Sequence, residues 1–391
     1  MIWTTIHTID IILWIFTACS VAYVAFYALV FLFNRKDNSV PSSGPPAFKS
    51  RFLVLYPAYR EDHVIVNSTK TFLQQDYPKE KYNLVVISDH QKRATNESLS
   101  QLPITLLNPN FIRSSKAKAL QYAIECAEGD YDFVVVLDAD NIVSNDFLSQ
   151  LDLLASNGYK AIQCHRCAKN SDSNVSILDG ISEEINNTLF RKSHNIIGLS
   201  SALIGSGMCF DYRWFKDNVT KLSTAGEDRE LEVLLLKQGI YIKYAEHIPV
   251  LDEKVSNAEN FQRQRQRWMS AQVNCLLSML PCLPKAFIKG NINLIDKTIQ
   301  QMLIPRSMLI VCTFAMSILT SFITPWWSLK WWSLFLVTCL SLLLAVPRHI
   351  SSKSILGTLT MLPKLTWKMF KNLRHIDHKN EEFIHTKHEM P

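Results

Sequence analysis

Charge is scarce in this chain. Only 19% of its residues are Asp, Glu, Lys or Arg, and the mean hydropathy is +0.03, so some segments must be far more apolar than a soluble average. The net charge of +6 is modest. No zinc-finger spacing or RNA-binding aromatic motif accompanies it, which sets nucleic acid aside as a partner; the excess suits an anionic lipid leaflet better. No Gly-rich phosphate loop occurs, so a P-loop phosphotransferase is poorly supported. Of nine cysteines only Cys164 and Cys167 make a C-x-x-C. One such pair is thin evidence for zinc, and buried thiols in a reducing compartment are the simpler reading.

What the chain has instead is long apolar runs. Residues 9–33 are long enough to cross a bilayer. A signal peptide is the rival reading, but the run is too long, lacks preceding Lys and Arg, and is followed by no small-residue cleavage pattern. Arg35, Lys36, Lys49 and Arg51 all lie on its C-terminal side, which the positive-inside rule makes cytoplasmic. Residues 303–324 and 331–346 form second and third runs, joined by a Trp-dense link typical of a bilayer interface. Arg348, Lys353, Lys364, Lys368, Lys371 and Arg374 then return the tail to the cytoplasm, and three spans agree with the charge at both ends. The expected division is an anchor at 1–34, a Pro- and Ser-rich linker at 35–50 and an α/β domain at 51–255. Interfacial helices at 256–300, a transmembrane hairpin at 301–348 and a basic amphipathic tail at 349–391 complete it.

Within 51–255, strands at 51–56, 83–88, 104–107, 133–140 and 161–165 alternate with helical patterns ending near Leu73 and spanning 114–128, 176–197 and 225–239. That spacing predicts a mostly parallel sheet with helices on both faces. Three strands end in acids: Glu61 and Asp62, Asp89, and Asp138 with Asp140. Open α/β sheets place their ligands at such ends. Asp138 and Asp140 follow an apolar, β-branched run and, on an extended strand, leave from one face. Two hard oxygen donors suit Mg²⁺ or Mn²⁺ completed by water and substrate phosphates; the same pair also suits a solvated strand end or a helix cap. Gly205, Ser206 and Gly207 make a small-residue turn, open to close backbone approach or merely a tight bend. Glu227 and Asp228 open a helix, where they either compensate its dipole or act chemically. In Gln262–Trp268, Gln264, Arg267 and Trp268 share one helical face. That face either lies on the membrane or offers Arg267 to a phosphate and Trp268 to a sugar.

Asp89, then Asp138-Ala-Asp140, then Glu227-Asp228, then Gln264-x-x-Arg267-Trp268, placed before transmembrane runs, resembles the family-2 membrane glycosyltransferases, among them the cellulose, hyaluronan and poly-N-acetylglucosamine synthases. The resemblance covers roughly residues 50–350. It implies a GT-A type nucleotide-sugar fold and metal-dependent, inverting transfer from a nucleotide-sugar, usually a UDP-sugar, to a growing glycan at a bacterial inner membrane. Transfer of a single sugar to a lipid, as in ceramide glucosyltransferase, is the alternative. Three spans make a thin wall for a polymer channel, which a dimer or an export partner would thicken. Carried over by residue, Tyr59 and Glu61 lie by the nucleoside, with Arg60 where the family often has Asn, and Asp89 contacts the base. Lys116, with Lys118 as the alternative, matches the lysine after the third strand. Asp138 meets the ribose or the metal, and Asp140 the metal. Gly205, Ser206 and Gly207 resemble the turn beside the acceptor, with Glu227 nearby, and Gly226 stands where the family has Thr. Asp228 matches the general base. Gln264, Arg267 and Trp268 match the motif that closes over the pyrophosphate and the acceptor sugar.

Overall fold

The computed structural model describes residues 2–34, 48–224, 226–347 and 350. The expected tail from 351 onward and most of the linker lie outside them. Eight strands form one sheet: β1 (Phe52–Tyr59), β2 (Tyr82–Asp89), β3 (Thr105–Leu107), β4 (Phe133–Val136), β5 (Ile142–Val143), β6 (Ala161–Ala168), β7 (Met208–Asp211) and β8 (Ile242–Asp252). Their order is β3-β2-β1-β4-β7-β6-β8-β5. The expected mostly parallel sheet is corrected here to a mixed one. β1, β2, β3 and β4 are mutually parallel, but β7 runs antiparallel between β4 and β6, and β5 is antiparallel to β8. β7 has only four residues, too few for a periodicity to announce it.

The parallel half is what builds the site. β1, β2 and β4 are apolar because both faces are covered, and Leu53, Leu55, Val86, Val134 and Val136 are buried. Each such burial is worth about 1.5–3 kcal/mol. Pro57 sits inside β1, where a missing N–H normally breaks a ladder. Here Leu55 O accepts from Leu137 N on the β4 side, so position 57 faces the same way. β4 has already ended at Val136, and no ladder bond is lost. The gap that opens above Val136 is the start of the cleft.

Helices α1 (Ile2–Phe33), α2 (Lys116–Cys126), α3 (Asn174–Asn186), α4 (Glu227–Lys237), α5 (Ala258–Met279), α6 (Ile292–Met302), α7 (Arg306–Ile323) and α8 (Pro325–Ala345) carry the other parts used below. The single helix expected at 176–197 is broken by a π-helical turn at Asn187–Lys192, which aims Arg191 inward at Glu183, 2.9 Å away. Four stretches are long and apolar enough to cross a membrane: Trp3–Phe33, Glu259–Lys289, Arg306–Ile323 and Pro325–Ala345. The second adds to the three read from charge because apolar residues follow its basic half without a break. α1, α7 and α8 pack together through Val21, Leu309, Trp331 and Leu334 and leave Ile12, Phe16, Leu319, Phe322 and Leu340 exposed outward, a surface suited to hydrocarbon. α1 is also tied to the α/β body. Tyr23 and Tyr27 donate to Asp296 Oδ1 at 2.9 and 2.7 Å, His194 lies 3.1 Å from Asp296 Oδ2, and the His194 ring stacks on Tyr27.

Candidate active site

β2, β1 and β4 stop side by side, with Tyr59 in register with Asp89. Arg60 and His90 follow with φ of +56° and +58°. Among non-Gly residues that left-handed region is uncommon and favours Asn, Asp and His, so Arg at position 60 is unusual there. Asp89 is buried, with His90 Nδ1 2.5 Å from its Oδ1.

The two carboxylates after β4 do not sit on an extended strand, as the sequence had them. Regular strand ends at Val136, and the chain turns, with Asn141 N donating to Asp138 O at 3.0 Å. The two acids therefore differ: the Asp138 side chain is 32% exposed, whereas Asp140 is buried. Asp140 Oδ2 accepts from Glu253 N at 2.7 Å. Asn141, fully buried, holds the turn by accepting from Asp138 N at 2.9 Å and from the Ser206 hydroxyl. Beneath it, Asp252 receives Arg166 at 2.7 Å and Lys254 at 3.0 Å. Burial opposes ionisation of Asp252, yet the two cations hold its carboxyl below the usual range.

Lys116, the first residue of α2, points into this cluster. Ser115 caps the helix by accepting from Lys118 N, and the Lys118 ammonium donates to Arg113 O at 2.9 Å, outside the cleft. Lys116 Nζ lies 2.5 Å from Asp138, 2.6 Å from Gly205 O and 3.4 Å from Glu227. Burial pulls the ammonium pKa down, but Asp138, Glu227 and Asp228 together raise it above its usual range. Gly205 has φ +75°, and a Cβ there would lie within 4 Å of Asp228, Glu227 and Lys116. Ser206 and Gly207 do not line the cleft. They are packed into the sheet behind it, where a Cβ on Gly207 would press Val250 at 3.0 Å.

Glu227 and Asp228 begin α4. The preceding Gly226 lies against α5, and a Cβ there would meet Ala271 Cβ at 3.2 Å, which leaves little room for a side chain. Burial, followed by Asp228 and Asp138 against the opposing pull of Lys116, pushes Glu227 up to about 7. A carboxyl raised in the folded state binds more protons there than in the unfolded chain between about pH 4.5 and 7. Its contribution is thus full below that window and lost as pH rises through 7. Glu227→Gln is expected to flatten the pH dependence of thermal unfolding in detergent between pH 5 and 8, removing a slope on the order of 2–3 kcal/mol. An unchanged slope would show that Glu227 does not carry it.

α5 covers the cleft with Gln264, Arg267 and Trp268, as its helical face predicts. The sequence reading missed Arg265, which stacks on Trp268 and Phe261 at 4.5 and 4.7 Å and pairs with Asp179 at 2.6 Å. Its i−4 and i+3 aromatic neighbours were the available signal. One cavity of about 720 Å³ joins Tyr59, Glu61, Asp89, Lys116, Asp138 and Asp140 to Gly205, Glu227, Asp228, Gln264, Arg267 and Trp268.

The sequence profile described as glycosyltransferase-like family 2 matches residues 50–271, more than half of the chain and every cleft residue named so far. The chain belongs to that family. No curated protein matches the sequence. Among solved structures it is similar to the mannosyltransferase PcManGT from Pyrobaculum calidifontis, in complex with GDP-Man and Mn²⁺. Identity is 17%, coverage 93% of this chain and 100% of that one, and the TM-score 0.55. TarS 1–349 of S. aureus in complex with UDP-GlcNAc matches at 14% identity over 85% of this chain and 90% of that one, with TM-score 0.44. The likeness to the mannosyltransferase is one of fold: a GT-A-like domain with apolar helices attached.

The donor set around Asp138 fits a divalent cation of the hard type. Among the described residues no group of three or more His, Cys, Asp or Glu gathers as a ligand cage. Two carboxylates at the cleft, with the remaining positions left to water and a diphosphate, are the usual arrangement for Mg²⁺, and Mn²⁺ takes the same oxygens.

Proposed function

We propose that the protein moves a sugar from a nucleotide-sugar to an acceptor with inversion, on the cytoplasmic side of a bacterial inner membrane. The observation that carries this is the gathering of Asp89, Asp138, Asp140, Asp228 and Arg267 around one cavity. Asp228 Oδ1 accepts its neighbour's N–H from Arg229 at 2.9 Å, which fixes the carboxylate near Gly205. There it takes the proton of the attacking hydroxyl. The anomeric C–O bond to phosphate breaks as the new C–O bond forms on the opposite face, and the electron pair leaves with the diphosphate. Arg267 and Lys116 stabilise the charge that develops on the leaving group. Asp138 and Asp140 would hold the divalent ion, which supplies further neutralisation of the diphosphate when bound. Tyr59, Glu61 and Asp89 form the nucleoside end, and Trp268 offers an apolar face to the acceptor.

Two acceptors fit this chemistry: the end of a growing glycan, as in polysaccharide synthesis, or a membrane lipid. The cavity favours the second. Its lining includes Ile310 of α7, Leu342 of α8 and Val346 just after α8, an apolar wall suited to a chain and unsuited to a polysaccharide. The deciding measurement is product size. Vesicles containing the protein receive labelled UDP-sugars and GDP-mannose with Mg²⁺ or Mn²⁺. Label in the organic phase as a single addition is the expected result. A high-molecular-weight, water-soluble product would establish the polymer reading instead.

A further inference from the structure

The cavity also carries charge that the transfer chemistry does not use. Arg265 and Arg306 both donate through Nη2 to Ser182 Oγ at 3.3 Å. Arg265 is balanced by Asp179 at 2.6 Å. Arg306 has only neutral partners, Ser182 O at 3.1 Å and the same hydroxyl, with its guanidinium 5.8 Å over the Phe190 ring. Among the described residues no carboxylate lies within ion-pair distance of it. An uncompensated guanidinium at the edge of an apolar segment is costly unless an anion reaches it. A second observation points the same way. Gln301 is 5% exposed and lines the same cavity, and its Nε2 has no hydrogen-bond partner in the structure. α7 begins at Arg306 with no capping side chain, so the positive end of its dipole adds to the guanidinium. The same cavity is lined by the apolar Ile185, Ile304, Ile310, Leu342, Leu343 and Val346.

We infer that this mouth holds the phosphate of an anionic lipid acceptor. Arg306 and Gln301 grip the phosphate, the chain lies against α7 and α8, and the head group presents its hydroxyl to Asp228. This rests on the transferase reading above and adds the acceptor's chemical class. The bonds exchanged are unchanged: the acceptor O–H proton passes to Asp228, and the lipid phosphate is held without reacting.

The test uses the full chain in phosphatidylcholine nanodiscs, with hexadecyl phosphate, hexadecanol and inorganic phosphate as separate probes, and with UDP and GDP binding measured alongside. Hexadecyl phosphate is expected to bind at least about tenfold more tightly than hexadecanol, the worth of one good charge contact. Arg306→Gln is expected to erase that difference and Arg306→Lys to keep most of it. Equal binding of phosphate and alcohol would mean that only the chain is recognised and would overturn the inference. So would an unaltered Arg306→Gln, or inorganic phosphate competing as well as the lipid. Nucleotide binding without hexadecyl phosphate binding rejects the lipid-phosphate site and leaves the donor reading standing. The reverse pattern supports the site and rejects the donor reading.

Discussion

Asp228→Asn is expected to slow sugar transfer by about 10²–10⁴-fold, the usual worth of a positioned general base, with nucleotide affinity changed by less than about threefold. The substitution keeps an acceptor oxygen for Arg229 N and removes only basicity. It leaves Lys116 its closest anion, Asp138, at 2.5 Å, so the donor end should remain assembled. Single-turnover transfer and equilibrium binding of UDP and GDP separate the two effects. Parallel loss of binding and transfer would make Asp228 part of the donor pocket and leave the base unassigned.

The second large effect is expected at Asp140. Asp140→Asn should lower metal-dependent donor affinity by more than about 100-fold, beyond the 10–100-fold typical of residues that merely orient a ligand. Binding in the presence of a chelator should not change. Asn is chosen because Asp140 is buried and accepts from Glu253 N; an amide oxygen can keep that bond, so a misfolded turn is not mistaken for a lost charge. Titration of Mn²⁺ against donor binding in the two proteins is the measurement. Equal metal dependence would take Asp140 out of the metal site and leave Asp138 as its carboxylate.

The acids at the ends of β1, β2 and β4 were legible because apolar strand runs stop where carboxylates begin, and the parallel register then sets Tyr59 beside Asp89. The Gln264, Arg267 and Trp268 face was legible from helical spacing. What escaped depends on contacts far apart in the chain. Arg265 meets Asp179 across 86 positions. Asn141 matters through Ser206 and Asp138, and Arg166 through Asp252. The mixed sheet escaped because β7 is too short to show a period, and the geometry of Asp138 and Asp140 because a turn replaces the strand one residue before them. Pairing and turn geometry of this kind are set by tertiary context.

The cluster of Tyr23, Tyr27, His194 and Asp296 also limits what can be exchanged in this protein. A helix that only holds an enzyme at a bilayer can be replaced by any apolar segment of equal length. α1 cannot, because its phenols complete the hydrogen bonding of Asp296 and seat His194, while Asp10 at its other end receives Lys330 and Trp331 of α8. A chimaera with a foreign leading segment would strand the Asp296 carboxylate at one end of α1's contact surface, and the Lys330 ammonium with the Trp331 indole at the other. The first thirty residues thus belong to the architecture of the protein, and a version made by deleting them would begin with the Asp296 and Lys330 contacts unmade.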